Sequence, residues 1–66
     1  MSVAILEMLE GHTIEEKRQL AKDITEAFAR IGEQAESIQI IMRETPQSCW
    51  AEAGKMCSDF KVPPGA

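Results

Sequence analysis

Two short segments of the chain alternate apolar positions, and the segment between them repeats apolar positions at helical spacing. Residues 3–9 carry apolar side chains on both faces of a strand, with Glu7 interrupting one row. Residues 37–44 alternate Ile and Met with Gln39, Ile41 and Arg43, and predict a second strand. Between the two strands, apolar residues recur at helical spacing, which predicts a helix over 14–31.

Both ends of this helix have sequence signals. Thr13 and Glu16 form a capping box, in which each side chain bonds the backbone N–H of the other residue. Gly32 is a good residue to follow the last turn because it tolerates positive φ. The apolar stripe between these signals consists of Leu20, Ile24, Ala27, Phe28 and Ile31.

The order strand, helix, strand predicts a fold of the α/β (α+β) class. A crossover of about two dozen residues suits a right-handed parallel β-α-β unit. Pro46 ends the second strand, and the small residues 51–54 predict a short hairpin or loop. We expect a single domain over 1–66, with a weakly ordered tail at about 60–66.

One helix cannot cover both faces of this small sheet. The uncovered face, which we expect to hold several Ile and Met side chains, must therefore contact something else. Self-association is the simplest solution, and the sheet is then completed by oligomerisation. The alternative is a monomer that covers the face with its own tail, although a domain of 66 residues is close to the lower size limit for independent stability.

Composition and charge narrow the functional classes. Seven basic and eleven acidic residues give a net charge of −4, which argues against non-specific nucleic-acid binding. The apolar runs are far shorter than a membrane span of about 20 residues, and no signal peptide is visible. Cys49, Cys57 and His12 are too scattered to predict a metal site or a disulfide framework. We expect a cytoplasmic protein without a metal.

Three segments resemble the 4-oxalocrotonate tautomerase family. Residues 8–17, Met-Leu-Glu-Gly-His-Thr-Ile-Glu-Glu-Lys, are similar to the family's loop and helix-start signature. Residues 37–44 resemble its second strand, and Trp50 followed by Ala53-Gly54 resembles its aromatic residue and hairpin. The resemblance covers residues 2 to about 59. It implies a β-α-β subunit that pairs into a four-stranded sheet and assembles as a hexamer, a trimer of dimers.

The resemblance also implies a chemistry, and the chain departs from it at the functional positions. In the family, an N-terminal proline is the general base that moves a proton in an enol or oxo-acid, and arginines bind the substrate carboxylates. Here Ser2 occupies the proline position and His12 the position of the loop arginine. Gln39 occupies the position of the second-strand arginine if one residue is deleted in the preceding turn. Trp50 replaces a Phe.

Each of these residues has a catalytic and a structural interpretation. If Met1 is removed, Ser2 offers a primary α-amine with an ordinary pKa of about 7.7–8.0, which can act as a base; otherwise Ser2 merely begins a strand. His12 can hydrogen-bond a carboxylate but cannot replace a bidentate guanidinium, or it is simply a loop residue. Gln39 is either a neutral hydrogen-bonding substitute or an ordinary polar strand residue.

Arg43 and Trp50 complete the candidate site. Arg43 lies on the same strand face as Gln39 and could supply a replacement cation, or it is a solvated charge at the strand end. Trp50 could line a pocket or fill a subunit interface.

Two functions remain open at this point. The first is a cofactor-independent tautomerase-like isomerase, with weakened or lost activity, that acts on a small unsaturated oxo-acid. Ser2 would be its base, and His12, Gln39, Arg43 and Trp50 would bind the substrate. The second is a non-catalytic subunit, either of a homo-oligomer or paired with a related tautomerase-fold chain that carries the proline and arginines.

Overall fold

A computed structural model describes residues 1–60 of the chain. The predicted strands and helix are confirmed, and each boundary lies within one residue of its predicted place. The main elements are β1 (Ser2–Leu9), α1 (Ile14–Arg30) and β2 (Ile38–Thr45). A small hairpin of β3 (Ala51–Glu52) and β4 (Lys55–Met56) follows them, and short 3-10 turns span Ala35–Ser37, Gln47–Cys49 and Cys57–Phe60.

Strands β1 and β2 form a parallel pair, as the crossover length predicts. Their register runs from Ser2 opposite Ile38 to Leu9 opposite Thr45. Because the strands are parallel, the starts of both lie at one end of the sheet and their carboxyl ends at the other. The helix connects these ends, which is the predicted β-α-β layout.

The helix begins and ends at the predicted signals. The Thr13 hydroxyl accepts a hydrogen bond from the Glu16 N–H at 3.1 Å, and the Glu16 carboxylate accepts one from the Thr13 N–H at 2.8 Å. Gly32 follows the helix with φ +98°, and its N–H donates to the Ala29 carbonyl at 3.0 Å. Both capping motifs therefore fix where the chain enters and leaves α1.

The two faces of the sheet differ in exposure. The face on the helix side carries half-buried residues, among them Met8 and Met42. The other, which we call the open face, is rich in exposed β-branched side chains: Val3 is 53%, Ile5 48% and Ile41 43% exposed. The prediction that methionines lie on the uncovered face was therefore wrong. Glu7, Gln39 and Arg43 all lie on the open face, so these three polar residues were the sequence signal for the face that the helix leaves uncovered.

The helix covers the sheet with a slightly different stripe from the predicted one. Leu20, Ile24 and Phe28 are half-buried as predicted, but Ala27 and Ile31 are exposed. Ala21 and Thr25 take their place on the packed side.

The chain has almost no core of its own. Among residues 1–59, Cys57 alone is buried. The radius of gyration is 14.6 Å, compared with about 11 Å for a compact domain of this length. The molecule is a slab only 14 Å thick, with little apolar surface removed from water within one chain.

The C-terminal segment forms the predicted hairpin. Strands β3 and β4 are antiparallel, and the turn residues Ala53 and Gly54 both have positive φ, which suits a tight two-residue turn. The tail predicted at about 60–66 lies, beyond residue 60, outside the described residues, as does any cover it could give the open face. No helix within residues 1–60 has the length and apolar character to cross a membrane.

Candidate functional site

Ser2 lies at the start of β1, and its side chain has a specific partner. The Ser2 hydroxyl donates a hydrogen bond to the Glu33 carboxylate, with 2.6 Å between the oxygens. The second oxygen of the same carboxylate lies 3.7 Å from the Met1 ammonium nitrogen. The end of the sheet where β1 begins therefore holds an amine, a hydroxyl and a carboxylate close together.

His12 lies at the opposite end of β1, in the loop that leads to the helix. It lines a cavity of about 210 Å³ together with Met8, Glu16, Lys17 and Leu20. The His12 Nδ1 lies 3.9 Å from a Glu16 carboxylate oxygen. Two hydrogen bonds of Glu10 hold this loop against the end of β2. The Glu10 N–H donates to the Thr45 carbonyl at 3.0 Å, and the Glu10 carboxylate accepts from the Gln47 N–H at 3.4 Å.

Two carboxylates control the charge around His12. The Glu16 pKa is lowered, chiefly by the hydrogen bond from the Thr13 backbone and also by the nearby His12. The Glu44 pKa is lowered chiefly by the Lys17 ammonium, whose nitrogen lies 2.6 Å from its carboxylate oxygen. Because both carboxylates are anionic at neutral pH, the Lys17 charge is already matched and the cavity offers no surplus cation for an anionic substrate.

Gln39 and Arg43 lie on the same open face of β2 but four residues apart, toward opposite ends of the strand. Gln39 is exposed and lies opposite Val3, near the Ser2 end of the sheet. Arg43 lies opposite Glu7, and its guanidinium contacts the Glu7 carboxylate at 3.2 Å. The replacement cation predicted at Arg43 therefore has an ion-pair partner within its own chain, although both side chains remain more than half exposed.

Trp50 lies at the start of the C-terminal hairpin and is half-buried. Its carbonyl accepts a hydrogen bond from the Cys57 N–H at 2.7 Å, which anchors the hairpin to the following turn. The residues that line the cavity beside His12 do not include Trp50.

One chain does not bring the predicted site residues together. Ser2 and His12 are separated by the whole of β1, whose eight residues span about 23 Å. Gln39 lies near the Ser2 end, whereas Arg43 lies near the other. A single pocket that uses both Ser2 and His12 therefore requires residues from more than one chain.

Sequence reasoning missed the most closely placed charged partner of Ser2. Glu33 follows Gly32, and a glycine that ends a helix marks a tight reversal of the chain. That signal could have indicated that residue 33 returns toward the start of β1. Within residues 1–60, no group of three His, Cys, Asp or Glu side chains is arranged to hold a metal ion.

Comparison with known proteins identifies relatives over nearly the whole chain. The family model for tautomerase enzymes matches residues 3–59. A 2-hydroxymuconate tautomerase of Bacillus subtilis (strain 168) is 37% identical over 62 residues, which cover 92% of this chain and 100% of the relative.

Solved structures agree with this assignment. The crystal structure of a 4-oxalocrotonate tautomerase homologue superimposes with a TM-score of 0.84 at 37% identity, covering 89% of this chain and 95% of that chain. A heterohexameric 4-oxalocrotonate tautomerase from Chloroflexus aurantiacus J-10-fl gives a TM-score of 0.84 at 26% identity, with coverage of 91% and 98%. With the tautomerase family model matched over residues 3–59 and relatives at 37% identity over most of its length, the chain belongs to the 4-oxalocrotonate tautomerase family.

Proposed function

We propose that this chain is a tautomerase subunit that catalyses proton transfer between the enol and keto forms of a small unsaturated oxo-acid, at a site shared between chains. The observation that carries this proposal is the family match over residues 3–59, which begins one residue after Ser2 and includes the loop, helix, second strand and hairpin that hold the other candidate residues. The 2-hydroxymuconate tautomerase among the relatives acts on an enol of this kind, as its name says.

The reaction needs a base that returns the proton it takes. With Met1 removed, the neutral Ser2 α-amine accepts the proton of the enol hydroxyl as the carbonyl forms. The resulting ammonium then donates a proton to the substrate carbon that becomes saturated. The reaction moves a proton without changing the oxidation state of the substrate, so the amine is unchanged after each turnover.

The proposed substrate-binding residues differ in charge from the arginines that the resemblance implies for the family. His12 and Gln39 can donate hydrogen bonds to a carboxylate or carbonyl oxygen, but neither provides a permanent bidentate cation. Loss of two such cations weakens binding of a dicarboxylate more than that of a monoacid. We therefore infer that the substrate is a monocarboxylate or a neutral carbonyl compound, with Arg43 and Trp50 available from a neighbouring chain.

Assembly follows from the same geometry. The exposed β-branched residues of the open face and the near absence of a core favour association with further chains. Association also allows the Ser2 of one subunit to approach the His12 of another, which one chain cannot do. We propose a homohexamer in the cytoplasm, built as a trimer of dimers.

A second function is favoured by a specific observation. Arg43 is paired with Glu7. The resemblance also implies that Ser2 and His12 replace the family's proline and loop arginine, and that Gln39 replaces its strand arginine if one residue is deleted in the preceding turn. A chain with these features could be the non-catalytic subunit of a hetero-oligomer whose partner supplies the base and the cations. The Chloroflexus relative, described as a heterohexamer, shows that this fold can assemble from different chains.

Restoring the family's residues tests the enzymatic proposal. We would measure steady-state ketonisation of 2-hydroxymuconate and of phenylenolpyruvate by the parent, by Ser2→Pro and by the triple variant Ser2→Pro, His12→Arg, Gln39→Arg. Met1 removal is verified by intact mass. Each restored bidentate contact is worth about 1.5–3 kcal/mol, so the triple variant should gain at least tenfold in kcat/KM on the dicarboxylate.

A surface variant controls for the added charge, and the absence of activity would contradict the proposal. Gln19→Arg adds one arginine on the exposed helix surface, away from the candidate site, and should leave the rates unchanged. A triple variant without activity above buffer would refute a tautomerase pocket in this chain. Activity that appears only after addition of a related chain would establish the non-catalytic subunit instead.

A further inference from the structure

We propose that Glu33 is a positioning residue for the terminal amine, and that its carboxylate holds the Ser2 hydroxyl and, after Met1 removal, the Ser2 α-ammonium. This inference rests on the proposed use of the Ser2 amine, and it identifies a residue that regulates the protonation and orientation of that base.

The geometry of the carboxylate carries the inference. One Glu33 oxygen accepts a hydrogen bond from the Ser2 hydroxyl, with 2.6 Å between the oxygens. The other lies 3.7 Å from the terminal nitrogen of Met1. The Glu33 side chain is only 25% exposed, whereas that of Met1 is 74% exposed. The two oxygens thus face two different groups at the start of β1, from a half-buried and well-defined position.

The backbone holds Glu33 in this place independently of the ion pair. Its N–H donates to the Phe28 carbonyl at 3.2 Å, and the Gly32 N–H donates to the Ala29 carbonyl at 3.0 Å. These two bonds, with Gly32 at φ +98°, form a Schellman motif. The carboxylate is therefore tethered to the rigid end of α1 and reaches the strand through only two methylene groups.

Removal of Met1 moves the positive charge of the chain terminus onto Ser2, whose hydroxyl already donates a hydrogen bond to Glu33. The α-nitrogen and the hydroxyl oxygen of one serine are separated by only three covalent bonds, so the carboxylate that binds the hydroxyl lies within reach of the new ammonium. A neighbouring anion stabilises an ammonium. We expect the Ser2 amine to release its proton at a higher pH than it would without Glu33.

The neighbouring elements carry few other charged side chains, and Arg30, in the last turn of α1, is exposed. The residue opposite Ser2 on β2 is the uncharged Ile38. Glu36 lies in the turn that leads from Glu33 to β2 and is exposed. The next charged residue along β1 is Glu7, five positions away on the open face. Glu33 is therefore the group whose substitution should change the titration of the amine most.

The test uses the full chain beginning at Ser2, with Met1 removal verified by intact mass. The α-nitrogen of Ser2 is labelled with ¹⁵N, and its titration is followed by NMR in the parent, in Glu33→Gln and in the control Glu36→Gln. We expect the amine of Glu33→Gln to titrate at a pH lower by about half a unit or more. Glu36→Gln should titrate with the parent, and Glu33→Asp should lie between them.

A kinetic measurement separates this inference from the proposed function. If the neutral amine is the base, the ascending limb of kcat/KM against pH should move to lower pH in Glu33→Gln, and its plateau should fall because the amine is less well oriented. A merely structural role for Glu33 would not move the limb. An amine that titrates identically in the parent and in Glu33→Gln overturns the inference, whereas a shifted titration without any turnover supports it and refutes the proposed function.

Discussion

Removal of the Thr13 hydroxyl should destabilise the protein through the first turn of α1. In the structure the hydroxyl accepts from the Glu16 N–H at 3.1 Å, so Thr13→Ala leaves one helix-terminal N–H without its acceptor. The reciprocal bond survives, because the Glu16 carboxylate accepts from the Thr13 backbone rather than from its side chain. The substitution thus removes one of two capping bonds.

The magnitude follows from this geometry. Loss of an N-cap side chain costs about 0.5–2 kcal/mol, and we expect about 1 kcal/mol here because the exposed N–H can still be hydrated. In a domain of this size, that cost corresponds to a fall in Tm of about 4–8 °C. The assay is thermal and urea unfolding followed by circular dichroism, with all proteins at one concentration because assembly contributes to the measured stability.

The matched control is Thr13→Ser, which retains the capping hydroxyl. Its midpoint should lie close to that of the parent, since Ser and Thr are both strong N-cap residues. If Thr13→Ala unfolds at the same midpoint as Thr13→Ser, the capping box contributes nothing and our account of the helix start is wrong.

Two further predictions concern assembly and pH. Ile41→Lys places a charge on the open face and should reduce the sedimentation coefficient at micromolar concentration. Ile31→Lys, at the exposed end of the helix, should leave the coefficient unchanged. Equal sedimentation of the two variants would exclude the open face as an interface. Because Lys17 lowers the pKa of Glu44, their pairing stabilises the fold above the carboxyl's ordinary pKa and is lost as the pH falls through the lowered value. Glu44→Gln should therefore flatten the loss of stability in acid, and an unchanged slope would refute the pairing.

Local signals explain why the main elements could be predicted. The two strands, the helix and the hairpin depend on alternation, on a capping box and on glycines, all of which act within a few residues. Thr13 and Glu16 are three positions apart, so their reciprocal bonds are visible in the sequence itself. The same holds for Gly32, whose place directly after the last helical turn predicts its positive φ.

Contacts between distant residues could not be predicted in this way. Ser2 and Glu33 are 31 positions apart, and Lys17 and Glu44 are 27 positions apart. Both contacts depend on which face of the sheet meets the helix and on the parallel register, and alternation alone does not fix the register. The polar residues Glu7, Gln39 and Arg43 mark the open face, but the register that brings these distant partners together became clear only from the structure.

Within residues 1–60 the main sheet has only two strands, and this has a consequence for the newly made chain. Both β1 and β2 are edge strands, and each presents one row of backbone N–H and C=O groups beside the exposed Val3, Ile5 and Ile41. Such edges pair readily with any other exposed strand. Correct assembly therefore competes with aggregation from the moment the subunit folds, and substitutions that slow assembly should reduce the yield of recoverable protein even when the folded subunit is unchanged.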